Sequence, residues 1–142
     1  MSCTYRGRPC ETSIRAVFGN TGDQQIELLQ QLDVSESALS EWIKRVGYGL
    51  HHQSIVVEDF DLQRSAFKKI GYEEICLGPN AFAIFDTKGA MPFMVELVKV
   101  TKDLEEMCAS IRQAAVSWDG TDPVRELSAA SLGHFKHLQL LR

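Results

Sequence analysis

No apolar run in the 142 residues approaches the ~20 that cross a bilayer, and Met1-Ser-Cys-Thr-Tyr-Arg-Gly-Arg8 holds no apolar stretch of signal-peptide type. The chain therefore reads as cytoplasmic, with no membrane partner. Positive charge is not in excess: 15 Lys and Arg against 19 Asp and Glu give a net charge of −4 and a pI near 5.5. General attraction to phosphate backbones is thereby absent, and nucleic acid is not expected as a partner. The four cysteines, Cys3, Cys10, Cys76 and Cys108, show no CxxC spacing. Neither a zinc knuckle nor a thioredoxin-type pair can be built from them, and reduced thiols are the default. No GxGxxG, P-loop or GxSxG pattern appears, which argues against dinucleotide binding, phosphoryl transfer and serine hydrolysis.

What is present is ordinary globular composition, 44% hydrophobic and 24% charged, at a length that fits one compact domain with a real core. Apolar and β-branched stretches from Ile14 to Gly19 and from Gln24 to Leu29 flank Asn20-Thr-Gly-Asp23, which predicts an antiparallel hairpin. Val34, Leu39, Trp42, Ile43 and Val46 stand near helical spacing within Leu32 to Val46, with Ser35 and Ser37 as N-cap candidates and Gly47 as a stop. Leu50 to Val57 reads as a strand. Asp61 is expected to cap a helix running to Ile70, and strands follow at Glu73 to Leu77, Ala81 to Phe85 and Phe93 to Val100. The order is β, α, β, β, β. Lys102 to Trp118 predicts a further helix, broken by Asp119-Gly-Thr-Asp-Pro123, and Val124 to Leu141 reads as a helical tail.

A carboxylate inside an apolar strand is costly unless it is paired, solvated or bound to a metal, so Glu27 and Glu96 each need an explanation. They sit in an internal echo, Gln25-Ile-Glu-Leu-Leu29 and Met94-Val-Glu-Leu-Val98, of the kind two similar half-modules would produce. With His52 they form a candidate constellation, since carboxylate oxygen and imidazole nitrogen on separate strands suit a borderline divalent cation. The competing explanation is a wetted face of an antiparallel sheet.

The run Gly49-Leu-His-His-Gln-Ser-Ile-Val-Val-Glu-Asp59, preceded by Gly22-Asp-Gln-Gln-Ile-Glu-Leu-Leu29 and the Trp42 helix, resembles the vicinal oxygen chelate superfamily. That group includes glyoxalase I, methylmalonyl-CoA epimerase, extradiol dioxygenases and the bleomycin and fosfomycin resistance proteins; the epimerase and glyoxalase branch is the nearest in pattern. Phe82-Ala-Ile-Phe-Asp86 and Met94-Val-Glu-Leu-Val98 match the last two strands of the same module, and the resemblance runs from Tyr5 to Thr101. It implies an α+β fold of glyoxalase-like βαβββ modules, with a curved mixed sheet and helices on its outer face. Residues 1–101 would form that domain and 102–142 a helical C-terminal extension.

The resemblance also implies a site. Its metal ligands map to Glu27 at the end of the first module and to His52 and Glu96 in the second. His52 rather than His51 fits the family register of His, any residue, small, apolar, as His52-Gln-Ser-Ile55; His51 would point to the helix side. The implied cofactor is a divalent ion (Zn, Co, Ni or Mn), weakly occupied. The implied activity is a lyase or isomerase reaction on a small oxygenated substrate by enolate stabilisation, with Glu96 as the catalytic base, or Glu27 if it leaves the ion. The alternative is a metal-free protein that sequesters an antibiotic or other small molecule, its pocket lined by groups such as Phe82 and Met94. The first strand and helix of the first module have no counterpart before Glu27, and no residue stands for a fourth ligand. The chain then either begins inside a longer domain or takes the strand from a partner copy, and a homodimer is expected.

Other residues carry plainer readings. His134 and His137, three apart, fit a surface pair better than a metal site without a nearby carboxylate or Cys. Trp118 through Arg125 fits a helix-breaking turn with a buried Trp, with a lid or dimer contact as the alternative. Cys76 fits a strand core position.

Overall fold

The computed structural model describes residues 2–79, 81–126 and 137–141. The chain forms two compact units, one from Ser2–Thr12 and Val34–Val100, the other from Ser13–Asp33 and the stretch beginning at Thr101. The second grouping joins the hairpin to the C-terminal segment, across the 101/102 boundary drawn from the sequence.

The larger unit holds a six-stranded mixed sheet. Its strands are β1 (Ser2–Tyr5), β2 (Arg8–Glu11), β5 (His52–Val57), β6 (Glu73–Gly78), β7 (Phe82–Asp86) and β8 (Met94–Lys99), in the order β2-β1-β6-β7-β8-β5. All pairs are antiparallel except β5 with β8, and the crossover between these two carries the helix α2 (Phe60–Lys69). The β1–β2 hairpin has no sequence-based counterpart. Its two-residue turn has both Arg6 (φ 47°) and Gly7 (φ 76°) in the left-handed region, the backbone of a type I′ turn.

Helix α1 (Ala38–Val46) is capped by Ser37, one of the two expected N-caps, and stops at Gly47. The Ser37 hydroxyl accepts from Ser40 N at 3.0 Å and Ser40 Oγ accepts from Ser37 N at 2.9 Å, a reciprocal capping box. In α2 the cap is Asp59, whose carboxylate accepts from Leu62 N at 2.9 Å. Asp61, expected in that role, lies in the first turn instead, where its charge suits the helix N-terminus.

The two faces of the sheet bury different clusters. Ala83, Phe85 and Leu97 pack with Phe60 and Phe67 of α2 on one face; Cys76, Ile84 and Met94 pack with Ala38 and Trp42 of α1 on the other. A bulge between Glu74 and Cys76 lets the consecutive residues Ile75 and Cys76 join that second cluster together.

The smaller unit holds β3 (Ile14–Thr21) and β4 (Gln24–Gln31), the predicted hairpin, with β9 (Val124–Glu126) and β10 (His137–Leu141) in the order β4-β3-β10-β9. Helix α3 (Lys102–Val116) covers it through Met107 and Ile111, which cluster with Ala16 and Phe18. The predicted helical tail from Val124 to Leu141 is corrected at its two ends, which are strands, β10 running parallel to β3 and antiparallel to β9; residues 127–136 of that expectation lie outside the described residues. The helical extension expected over 102–142 is helical in α3. Trp118 is 39% exposed rather than buried, and its indole N–H donates to the Thr121 carbonyl at 2.5 Å while Asp119 accepts from Thr121 N at 2.9 Å. The helix stop is closed by its own side chains. His134 and the His137 side chain lie outside the described residues. No helix among the described residues is long and apolar enough to cross a membrane.

Candidate functional site

Strand register lays out the face of the six-stranded sheet that carries the two sequence-predicted ligands of this unit. His52 pairs with Met94, Ser54 with Glu96 and Val56 with Val98 across β5 and β8; Glu96 pairs with Ile84 and Val98 with Phe82 across β8 and β7. Alternation puts all of these side chains on one face, in three rows. The middle row, Ser54, Glu96 and Ile84, is flanked on one side by His52 and Met94 and on the other by Val56, Val98 and Phe82.

Within it, His52 Nε2 stands 3.5 Å from Glu96 Oε2, with the two side chains only 9% and 17% exposed. Ser54 Oγ donates to the same Oε2 at 2.5 Å, a charge-assisted bond that fixes the carboxylate. His51 precedes the regular strand, and for that reason escapes the alternation that would separate it from His52. Its Nδ1 lies 2.8 Å from His52 Nδ1, its Nε2 lies 3.3 Å from the Ala38 carbonyl, and its ring meets Trp42 edge-on.

The hydrogen bonds assign both tautomers. A carbonyl only accepts, so His51 carries its proton on Nε2 and offers Nδ1 as an acceptor; His52 must then donate from Nδ1. The His52 Nε2 faces the Glu96 carboxylate. Burial against α1, with His52 alongside, pushes the His51 imidazole down to about 4 despite its bond to Ala38, so it stays neutral and holds this arrangement at ordinary pH. Trp42 is held in turn by Arg45, whose guanidinium lies 5.0 Å from the indole centroid and pairs with Asp86. The chain from Asp86 through Arg45, Trp42 and His51 to His52 orients the His52 imidazole.

Glu27 belongs to the other unit. It pairs with Phe18 across β3 and β4 and shares its strand face with Gln25, which accepts from Cys108 Sγ at 3.7 Å, and with Leu29, which packs against the α3 cluster. Among the described residues no group of three or more His, Cys, Asp and Glu side chains is arranged to hold a metal ion; His52 and Glu96 are a pair. Met94, expected to line a pocket, is fully buried in the core. Phe82 is half-buried, its ring lying where a side chain on Gly78 would be. Sequence reasoning gave His51 a passive place; its contact with a carbonyl 13 residues earlier in the chain is not a local signal.

A βαβββ order with the parallel β5–β8 pair, and a His and a Glu meeting on one face of it, define a glyoxalase-like module. The chain belongs to the Glyoxalase/Bleomycin resistance protein/Dioxygenase superfamily, whose family model matches residues 2–93. The match ends just before β8, so Glu96 enters the site through its position opposite Ser54 and Ile84. A comparison with curated proteins gave no match.

Proposed function

We propose that the chain is a metal-supported lyase or isomerase acting on a small substrate that presents two adjacent oxygens. The observation that carries this reading is His52 Nε2 standing 3.5 Å from Glu96 Oε2, an N and O donor set that fits a borderline divalent ion. His52 and Glu96 would hold the ion. When bound, such an ion supplies Lewis-acid stabilisation of negative charge developing on the substrate oxygens. Glu96 accepts the proton from the carbon beside the substrate carbonyl, its Oε2 oriented by Ser54. His51 keeps His52 in the Nδ1–H tautomer throughout. The apolar row of Val56, Val98 and Phe82 receives the carbon skeleton.

That same apolar row favours a second reading, sequestration of a small molecule without metal, as the bleomycin-resistance name of the superfamily implies. Thermal unfolding discriminates the two. A divalent ion at a hundredfold excess over its Kd stabilises the folded chain by about 2.7 kcal/mol, so zinc, cobalt, nickel or manganese should raise Tm in the wild type and not in His52→Ala. No shift with any of the four ions would overturn the metal reading.

Assembly as a homodimer belongs to the same proposal. In the six-stranded sheet β5 pairs in parallel with β8; β4, the echo of β8, ends its sheet among the described residues. A strand edge of this kind is an aggregation hazard unless covered, and a second copy is the cover we expect. Sedimentation at micromolar concentration should give twice the 15.9 kDa chain mass; a well-folded monomer would count against it.

A further inference from the structure

Three of the four thiols gather on the neighbouring strands β1, β2 and β6. Cys3 on β1 is directly opposite Cys10 on β2, and Cys76 on β6 is beside Tyr5, two residues along β1 on the same face. Cys3 packs against the core cluster that contains Cys76. Cys3 and Cys10 are half-buried, whereas Cys76 is 3% exposed.

The hairpin geometry sets the spacing of the first pair. Tyr5 and Arg8 close the two-residue turn and so form a hydrogen-bonded pair; Thr4 opposite Pro9 is the next, non-bonded pair, as Pro9 with no N–H requires. Cys3 and Cys10 therefore occupy a hydrogen-bonded site, where Cα atoms lie about 5.5 Å apart, inside the range a disulfide spans.

We infer that Cys3 and Cys10 form a hydroperoxide-sensitive dithiol, with Cys3 as the attacking sulfur, Cys10 as the resolving one and Cys76 as a thiol donor that holds the Cys3 thiolate. The Cys3 thiolate attacks the O–O bond of a hydroperoxide, forming an S–O bond and releasing an alkoxide that leaves as the alcohol. Cys10 then attacks the Cys3 sulfur; the S–S bond forms, the S–O bond breaks and water departs with the Cys10 proton. Two thiols lose two electrons and the hydroperoxide gains them. Electrostatics agree with these roles. The Cys76 hydrogen bond, opposed by burial and aided by Cys10, brings Cys3 down to about 7. Cys76 is itself pushed strongly upward, first by that bond and then by burial, and keeps its proton. Cys10 Sγ donates to the Glu36 carbonyl at 3.1 Å. Cys108, on α3 in the other unit, is raised by burial and serves as an internal control.

One equivalent of hydrogen peroxide should remove the mass of two hydrogens from the whole chain, and non-reducing peptide mapping should locate the link between Cys3 and Cys10. In Cys10→Ser the sulfenic acid should be trapped by dimedone on Cys3. At pH 7 the wild-type Cys3 should be alkylated about threefold faster than an ordinary exposed thiol, since its larger thiolate fraction outweighs its lower intrinsic nucleophilicity; Cys76→Ala should erase that advantage. A link from Cys3 to Cys76, oxidation at Cys108 before Cys3, or dimedone on Cys10 as readily as on Cys3 would overturn the assignment.

Discussion

Glu96→Gln should lower the rate of α-proton exchange by about 10²- to 10⁴-fold, the usual contribution of a positioned general base, while far-ultraviolet dichroism and the unfolding midpoint stay near wild type. The measurement follows deuterium uptake from heavy water into an α-hydroxy ketone or acyl thioester, with a divalent ion added. The amide keeps the volume of the carboxylate and can still accept from Ser54 Oγ, so the β5–β8 pairing on either side of it is preserved. It loses the basic oxygen and the charge opposite His52 Nε2. Divalent-ion affinity should therefore fall in the same variant, and wild-type exchange should depend on the added ion. Ser54→Ala is the graded companion: the base remains but loses its orienting hydroxyl, so exchange should slow by a smaller factor. Unchanged turnover in Glu96→Gln would make Glu96 an ordinary sheet residue, leaving the enzyme reading on family resemblance alone.

What the sequence discloses here is governed by the distance over which each interaction acts. Period-two and period-3.6 patterns are local, and the β3–β4 hairpin and strands β5 to β8 lie within a few residues of where they were expected. The one-residue registers that put His52 and Glu96 on a common face follow from alternation within each strand. Helix caps are less legible, since Asp59 and Asp61 offer the same chemistry two residues apart and only the path of the entering chain selects between them. The β1–β2 hairpin is polar, with four-residue strands around Arg6-Gly7, and its stability comes from pairing with β6, some 70 positions onward. In the C-terminal segment β10 is held by β3 and β9 by β10, so the helical reading of Val124–Glu126 and His137–Leu141 gave way to distant partners. His51 is the clearest case. Its role depends on a carbonyl of α1 and a Trp ring, neither of which a strand pattern contains.

Acid should destabilise the larger unit through His51 before most carboxylates titrate. In the folded chain this imidazole is held down to about 4, chiefly by burial against α1 and further by His52; in the unfolded chain it titrates near its ordinary value of 6.5. Above pH 6.5 both states hold it neutral and its titration contributes nothing to the pH dependence. Between 6.5 and 4 the unfolded chain takes up a proton that the folded chain refuses, so stability falls with falling pH by about 1.4 kcal/mol per unit, roughly 3 kcal/mol in all, and levels off below 4. The group is 8% exposed, so solvent screening removes little of this. Unfolding free energies from urea titrations at pH 7.5, 6 and 5 should decline in the wild type by about 2 kcal/mol and decline much less in His51→Gln, whose amide can still donate to the Ala38 carbonyl but cannot take a proton. The comparison of slopes separates the titration from any constant cost of the substitution. Parallel slopes in the two proteins would mean that His51 is protonated in the folded state, and the neutral Nε2–H tautomer assigned to it from the Ala38 contact would then lose its basis.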